Sequence, residues 1–186
     1  MDGSSSRSSS RSTNKAERGR TESGRAATTG MTAAFERVSD HADEWGPERI
    51  LCEGLDLIRD SSWADECRLY SVLSDTAVAI AVAAGPGPSE PRTAVPTDWF
   101  PWGLAPANPR RFLLIADATR LPASPESART VGDEGFASCL HLPILERQRP
   151  IGAMQLYWRE PHVAWDDQRG RLMRLLGHFL LTRCTG

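Results

Sequence analysis

The sequence predicts an α+β domain, on three observations. Apolar residues recur at helical spacing near the start and again at the end of the chain. Between these helical stretches lie two pairs of short apolar runs, each pair joined by a few polar residues, as in antiparallel hairpins. A long proline-rich crossing separates the hairpins, so the predicted order is α-α-β-β-loop-β-α-β-β-α.

Residues 1–30 contain no Val, Ile, Leu, Phe, Tyr or Trp. Such a segment has nothing to bury against chain entropy and is expected to be a disordered Ser/Arg-rich tail. Met31 follows it directly and is a candidate start, which leaves open whether 1–30 is a true tail or a mis-assigned extension. The tail carries six basic and three acidic residues, and the remaining 156 residues carry 16 basic and 21 acidic ones. An acidic folded part lacks the basic footprint of a phosphate-backbone binder, so no direct nucleic-acid partner is expected.

The first folded element is an N-terminal helix within 31–46, where Phe35, Val38, Ala42 and Trp45 share a face. Gly46-Pro47 interrupts it, and Pro47 suits the first turn of a second helix whose stripe is Ile50, Leu51, Leu55 and Ile58, ending near residues 60–62. "ECRLYSVL" and "TAVAIAVAAG" follow as a hairpin about Ser74-Asp75. Residues 85–110 then hold seven prolines and read as irregular, with "DWFPWGL" as an aromatic turn. "RRFLLIAD" is a strand ending at Asp117. "LPASPESARTVGDEG" carries a short helix capped by Ser124, with Pro125 in its first turn and Gly135 at its close. The second hairpin has arms Ser138–Leu145 and Pro150–Trp158 about "ERQR". Asp166 or Asp167 caps a last helix with a stripe of Leu172, Leu175, Leu176, Phe179 and Leu180.

Two motifs are more specific than this pattern. "LLIADATRLP" and "GFASCLHLPILERQRPIGAMQLYW" resemble the strand–Asp motif and the closing hairpin of the GAF family of sensory domains, with Gly135, Ser138, Leu140, Leu142, Pro143, Ile144, Ile151 and Gly152 at matching positions. Trp99 and Trp102, Leu121-Pro122 and Ala164-Trp165 are similar to a branch found beside bacterial histidine kinases and transcription regulators. The resemblance covers 47–184. It implies an antiparallel sheet of five to six strands, terminal helices on one face and a loop-covered pocket on the other.

The resemblance also frames the function. It implies a non-catalytic regulatory module that binds an unknown small-molecule effector and signals to a partner protein, a kinase or regulator. With the sequence ending at Gly186, any output is expected to leave through that partner. The alternative is a ligand-free dimerisation module. A homodimer through the first and last helices is expected in either case, with a seam of Phe35, Val38 and Trp45 against Leu172, Leu176 and Phe179.

Candidate ligand contacts are Trp99, Trp102, Asp117, Cys139, His141 and Tyr157. Trp99 and Trp102 are aromatic groups that either stack on a flat ligand or close the end of the sheet. Asp117 either faces the pocket or caps its own turn through Thr119. Arms closed at Leu145 opposite Pro150 pair His141 with Met154 and Cys139 with Leu156. On that register a His/Met pair suggests haem and Cys-x-His suggests zinc, but the further ligands zinc requires are not evident. The plain reading is a partly buried histidine bonded to backbone or to a neighbouring side chain, with pocket lining without metal as the alternative. No cofactor and no metal are therefore expected.

No G-x-S-x-G, Walker A or G-x-G-x-x-G motif occurs, and no enzyme is expected. The free methionine sulfoxide reductase branch places a cysteine just beyond the strand–Asp motif, whereas residues 118–136 contain none. The cyclic-nucleotide branch carries an Asn-Lys signature, and the folded part has only Asn108 and no lysine. Bilin attachment needs a cysteine between Cys67 and Cys139, where there is none. Cys52, Cys67, Cys139 and Cys184 form no C-x-x-C pair and are expected as reduced thiols of a cytoplasmic protein, and no apolar run is long enough for a membrane helix.

Overall fold

The structure, a computed structural model, describes residues 29–85, 94–97, 112–120, 131–132, 134–147, 149–162 and 164–185. Helix α1 spans 29–40 and a turn leads to α2, Pro47–Ser61, with proline in its first turn as the sequence predicts. Strands β1, Glu66–Leu73, and β2, Thr76–Ala84, form the first hairpin, and β3, Ala94–Pro96, pairs with the start of β2. Next come β4, Leu113–Ile115, the second hairpin of β5, Ser138–Glu146, and β6, Arg149–Trp158, and finally α3, Asp167–Thr185. These strands make one antiparallel sheet in the order β3-β2-β1-β6-β5-β4.

Strand β3 is not foreseen in the proline-rich crossing. It is an edge strand of three residues, and an edge tolerates Pro96 because it has an unpaired side. The expected Ser124–Pro125 helix start lies outside the described residues, as do Trp99 and Trp102.

Period-two alternation gives each central strand two different faces. Cys67 and Leu69 of β1, Leu140, Leu142 and Ile144 of β5, and Met154 and Leu156 of β6 form one core with Met31, Val38, Leu55 and Ile58 of the first two helices and Met173, Leu176, Leu180 and Leu181 of α3. Asp166 caps α3 by accepting the Arg169 backbone N–H at 2.8 Å. The stripe of α3 is rotated from the sequence expectation: Met173 and Leu181 are buried, while Leu175 is 60% exposed. The rotation follows from Gly170 and Gly177, which turn the smallest surface of α3 to its neighbours. A Cβ on Gly177 would lie 2.9 Å from Met154 Cε and 3.0 Å from Ile144 Cδ1.

Val38 and Leu176 are thereby used inside the protomer, so the expected intermolecular seam cannot contain them. Phe35, Trp45, Leu172 and Phe179 pack partly against the same core. Among the described residues no helix is long and apolar enough to cross a membrane.

The Ile151-Gly152 step has a steric cause. A Cβ at Gly152 would sit 2.5 Å from the Tyr70 carbonyl oxygen on β1 and 2.6 Å from Leu181 Cδ2 on α3, and a backbone oxygen in a sheet cannot give way. Gly152→Ala is expected to lower the unfolding free energy by about 2 kcal/mol or more. Gly132→Ala, where nothing lies within 4 Å of the added carbon, is expected to change it by under about 1 kcal/mol. Urea unfolding of the two variants checks both.

Candidate functional site

The sheet face turned away from the helices is built from the other half of each alternation. On β1 it carries Glu66, Arg68 and Tyr70, on β6 Gln155 and Tyr157, and on β5 Cys139 and His141, all of them buried. Arg68 pairs with Gln155, Tyr70 with Ala153 and Glu66 with Tyr157 across β1 and β6.

The register of the second hairpin differs from the loop-based expectation. Leu145 does pair with Pro150, but a bulge between Ile144 and Leu145 shifts the rest of the ladder by one residue. His141 therefore faces Gln155 and Cys139 faces Tyr157. Met154 and Leu156 point into the helix-side core, which removes the His/Met pairing on which a haem reading depended.

The polar groups of this face form a chain. Arg68 Nε donates to Glu66 Oε1, and Arg68 Nη1 lies 2.7 Å from Glu134 Oε2, a carboxylate reaching in from the turn before β5. Arg68 Nη1 also donates to Tyr157 Oη at 3.5 Å, and the guanidinium carbon stands 4.3 Å from the Tyr157 ring centroid. Tyr157 Oη donates to Gln155 Oε1 at 2.6 Å, which orients the amide so that Gln155 Nε2 donates to His141 Nδ1 at 3.4 Å. With Nδ1 accepting, a neutral His141 carries its proton on Nε2.

Electrostatics on this face follow from burial. Loss of hydration pushes the His141 pKa down to about 3, so the ring is neutral at physiological pH. The same cause raises the Cys139 thiol and the Tyr157 hydroxyl well above their ordinary ranges, making Cys139 an un-ionised thiol rather than a reactive or ligating thiolate. Burial alone would lower the Arg68 pKa, but Tyr157, Tyr70, Glu134 and Glu66 around it outweigh that effect and hold it raised. Among the described residues no group of three or more His, Cys, Asp or Glu could hold a metal.

Two small apolar clusters flank the polar chain: Tyr70, Ala77, Val95 and Ala153 toward the β3 edge, and Ile115, Val131, Phe136, Cys139 and Tyr157 toward β4. Cys139, His141 and Tyr157 thus come together as candidate contacts. Asp117 does not join them. Its Oδ1 accepts from the Thr119 amide at 3.0 Å and the Thr119 hydroxyl at 2.6 Å, and Arg120 Nε lies 3.0 Å from Oδ2. Asp117 caps its own turn, and the Thr119 hydroxyl in particular lowers its pKa.

Glu66, Arg68, Tyr70, Glu134 and Gln155 were not among the candidates read from sequence. The available signal was the i, i+2 alternation of polar residues in "ECRLY" and "QLY", which ordinarily marks a solvent face.

The depressed His141 pKa has a consequence with a definite sign. Above pH 6.5 the ring is neutral folded and unfolded, so it contributes no pH dependence; between pH 6.5 and about 3 the unfolded chain binds the proton and the native one does not. Stability therefore falls with falling pH by about 1.4 kcal/mol per pH unit from this group. His141→Gln is expected to lose that component, so its stability deficit relative to wild type narrows by about 2 kcal/mol between pH 6.5 and 4.5 in urea unfolding.

Comparison with known proteins joins this geometry to a family. The family model described as GAF domain matches residues 46–182, most of the chain. Among solved structures, the phycocyanobilin-bound GAF domain from a cyanobacterial phytochrome is similar at 13% identity and a TM-score of 0.68, covering 83% of this chain and 94% of that one. The GAF domain of a phosphoenolpyruvate-protein phosphotransferase from Coxiella burnetii is similar at 17% identity and a TM-score of 0.63, covering 85% and 94%. Free methionine-R-sulfoxide reductase from Neisseria meningitidis, solved in complex with its substrate, is similar at 16% identity and 0.58, covering 82% and 86%. At these identities the likeness is one of fold. No curated protein sequence matches the chain. With the family model spanning both hairpins and the terminal helix, the chain belongs to the GAF domain family of small-molecule-binding signalling modules.

Proposed function

We propose that this protein is a non-catalytic regulatory GAF domain that binds a small-molecule effector against the Arg68–Tyr157–His141 face of its sheet and passes occupancy to a partner protein. The observation that carries this reading is the contrast between the two faces of the same strands. One face is apolar throughout and sufficient as a core. The opposite face keeps six buried polar side chains, Glu66, Arg68, Tyr70, His141, Gln155 and Tyr157, in place of the apolar residues that would pack there at lower desolvation cost. Pre-oriented donors and acceptors between apolar clusters are what a small polar ligand needs. The un-ionised Cys139 and the absence of any cysteine from 118–136 speak against thiol chemistry.

A homodimer is proposed on a revised surface. Leu175 is exposed on α3 beside Arg171 and Arg174, whereas residues 31–61 carry eight acidic and three basic residues. A second copy can set the one against the other.

Thermal-shift screening of the purified protein against metabolite libraries is expected to give a ligand that raises the melting temperature by mass action, with the shift lost in Gln155→Leu. Ligand-independent behaviour across broad chemical classes would instead favour a dimerisation module. Sedimentation is expected to show a dimer weakened at least about tenfold by Leu175→Glu; a monomer at tens of micromolar would contradict it.

A further inference from the structure

Glu134 differs from every other charged group of the polar chain. Glu66 and Arg68 are fixed by the ladder of β1, whereas Glu134 enters from the turn that precedes β5. That turn is held by the Gly135 amide donating to Gly132 O at 3.0 Å and the Phe136 amide donating to Val131 O at 3.1 Å. Gly135 has φ of 80° and nothing within 4 Å of where a Cβ would stand. The Glu134 carboxylate is buried, yet among the described residues it makes no hydrogen bond beyond its 2.7 Å ion pair with Arg68. A buried carboxylate with one partner is poorly compensated compared with one that receives two or three donors.

Arg68 divides its guanidinium between two carboxylates, with Tyr157 Oη as a further, longer contact of Nη1 at 3.5 Å. Nε is held by Glu66 on the same strand, while Nη1 is held by Glu134 from the turn. The Nη1 edge is therefore the part of Arg68 that can be handed to another carboxylate without disturbing the sheet. Exchange of one carboxylate for another also leaves the charge of the buried cluster unchanged, whereas a neutral group in its place would leave Arg68 short of a partner.

We propose that Glu134 is an internal stand-in for the carboxylate of the effector: a small carboxylate-bearing molecule takes the Arg68 Nη1 edge, Glu134 leaves, and the turn 134–137 moves with it. This rests on the reading that this sheet face binds a small molecule, and it adds the chemical class of that molecule and the element its arrival shifts. No covalent step is involved. A tethered competitor at high effective concentration weakens an external carboxylate by the fraction of time it is bound, so removing it should strengthen binding.

Acetate is the probe, because it carries the carboxylate and little else. At matched ionic strength, acetate in place of chloride should raise the melting temperature of Glu134→Ala by several degrees and that of wild type by far less, with apparent affinity at least about tenfold higher in the variant. Acetamide should have no such effect, and the acetate response should vanish in Arg68→Met/Glu134→Ala. In wild type, saturating acetate should speed hydrogen exchange at the Gly135 and Phe136 amides. Should Glu134→Ala fold poorly, Glu134→Gln with the exchange measurement replaces it. Equal response to acetamide, an acetate response that survives loss of Arg68, or no acetate response in either Glu134 variant overturns the inference. If acetate fails while the metabolite screen yields a ligand, the sensor reading stands and only its carboxylate chemistry is lost; if both fail, the sensor reading falls with it.

Discussion

The site depends on a one-residue step in the ladder between Ile144 and Leu145. Beyond that bulge every residue of β5 meets a partner one place further along β6 than the turn would dictate, and in a sheet a slip of one residue exchanges the two faces of the pairing. The step is what puts His141 opposite Gln155 and Cys139 opposite Tyr157, and it sends Met154 and Leu156 to the helices. Because β6 also pairs with β1, the same register fixes Arg68 beside Gln155 and Glu66 beside Tyr157. Three strands thereby contribute to one connected polar chain.

The helix side enforces this register. Gly152 admits the Tyr70 carbonyl and Leu181, Gly177 admits Met154 and Ile144, and Gly54 admits Leu180 where α2 meets α3. With no room for a side chain at these positions, α3 sits against β5, β6 and α2 in one arrangement, and a slipped β6 would bring Gln155 and Tyr157 into the apolar core. Motif residues of the second hairpin thus act in different ways. Gly152 is steric, Ser138 ties the start of β5 to the Glu160 carbonyl at 2.8 Å, and Gly135 supplies the positive φ of the turn that presents Glu134.

Much of this was legible from the residues. Hydrophobic period and turn residues located α2, both hairpins and α3, and the closing-hairpin motif pointed to the family. The site was legible only in part. Cys139, His141 and Tyr157 were singled out and share one face, but Arg68 and Glu66 were not, since alternating polar residues in a strand look the same whether they meet water or a second buried layer. Asp117 was balanced between two roles, and its contacts with Thr119 and Arg120 make it a turn cap. The extra residue of the bulge is Ile151 on β6, between Pro150 and Gly152, and a register counted from the turn without allowing for those two bulge-tolerant residues went wrong by one. The stripe of α3 was misplaced because a count of leucines ignores glycines that are buried for lack of a side chain.

A nuclear Overhauser spectrum of the His141 imidazole tests the register and the face it creates most directly. The account predicts contacts from the His141 ring protons to the Gln155 side-chain amide, with a single neutral tautomer protonated at Nε2 near neutral pH. Contacts from that ring to the Met154 methyl group instead would place His141 on the helix side and contradict the account.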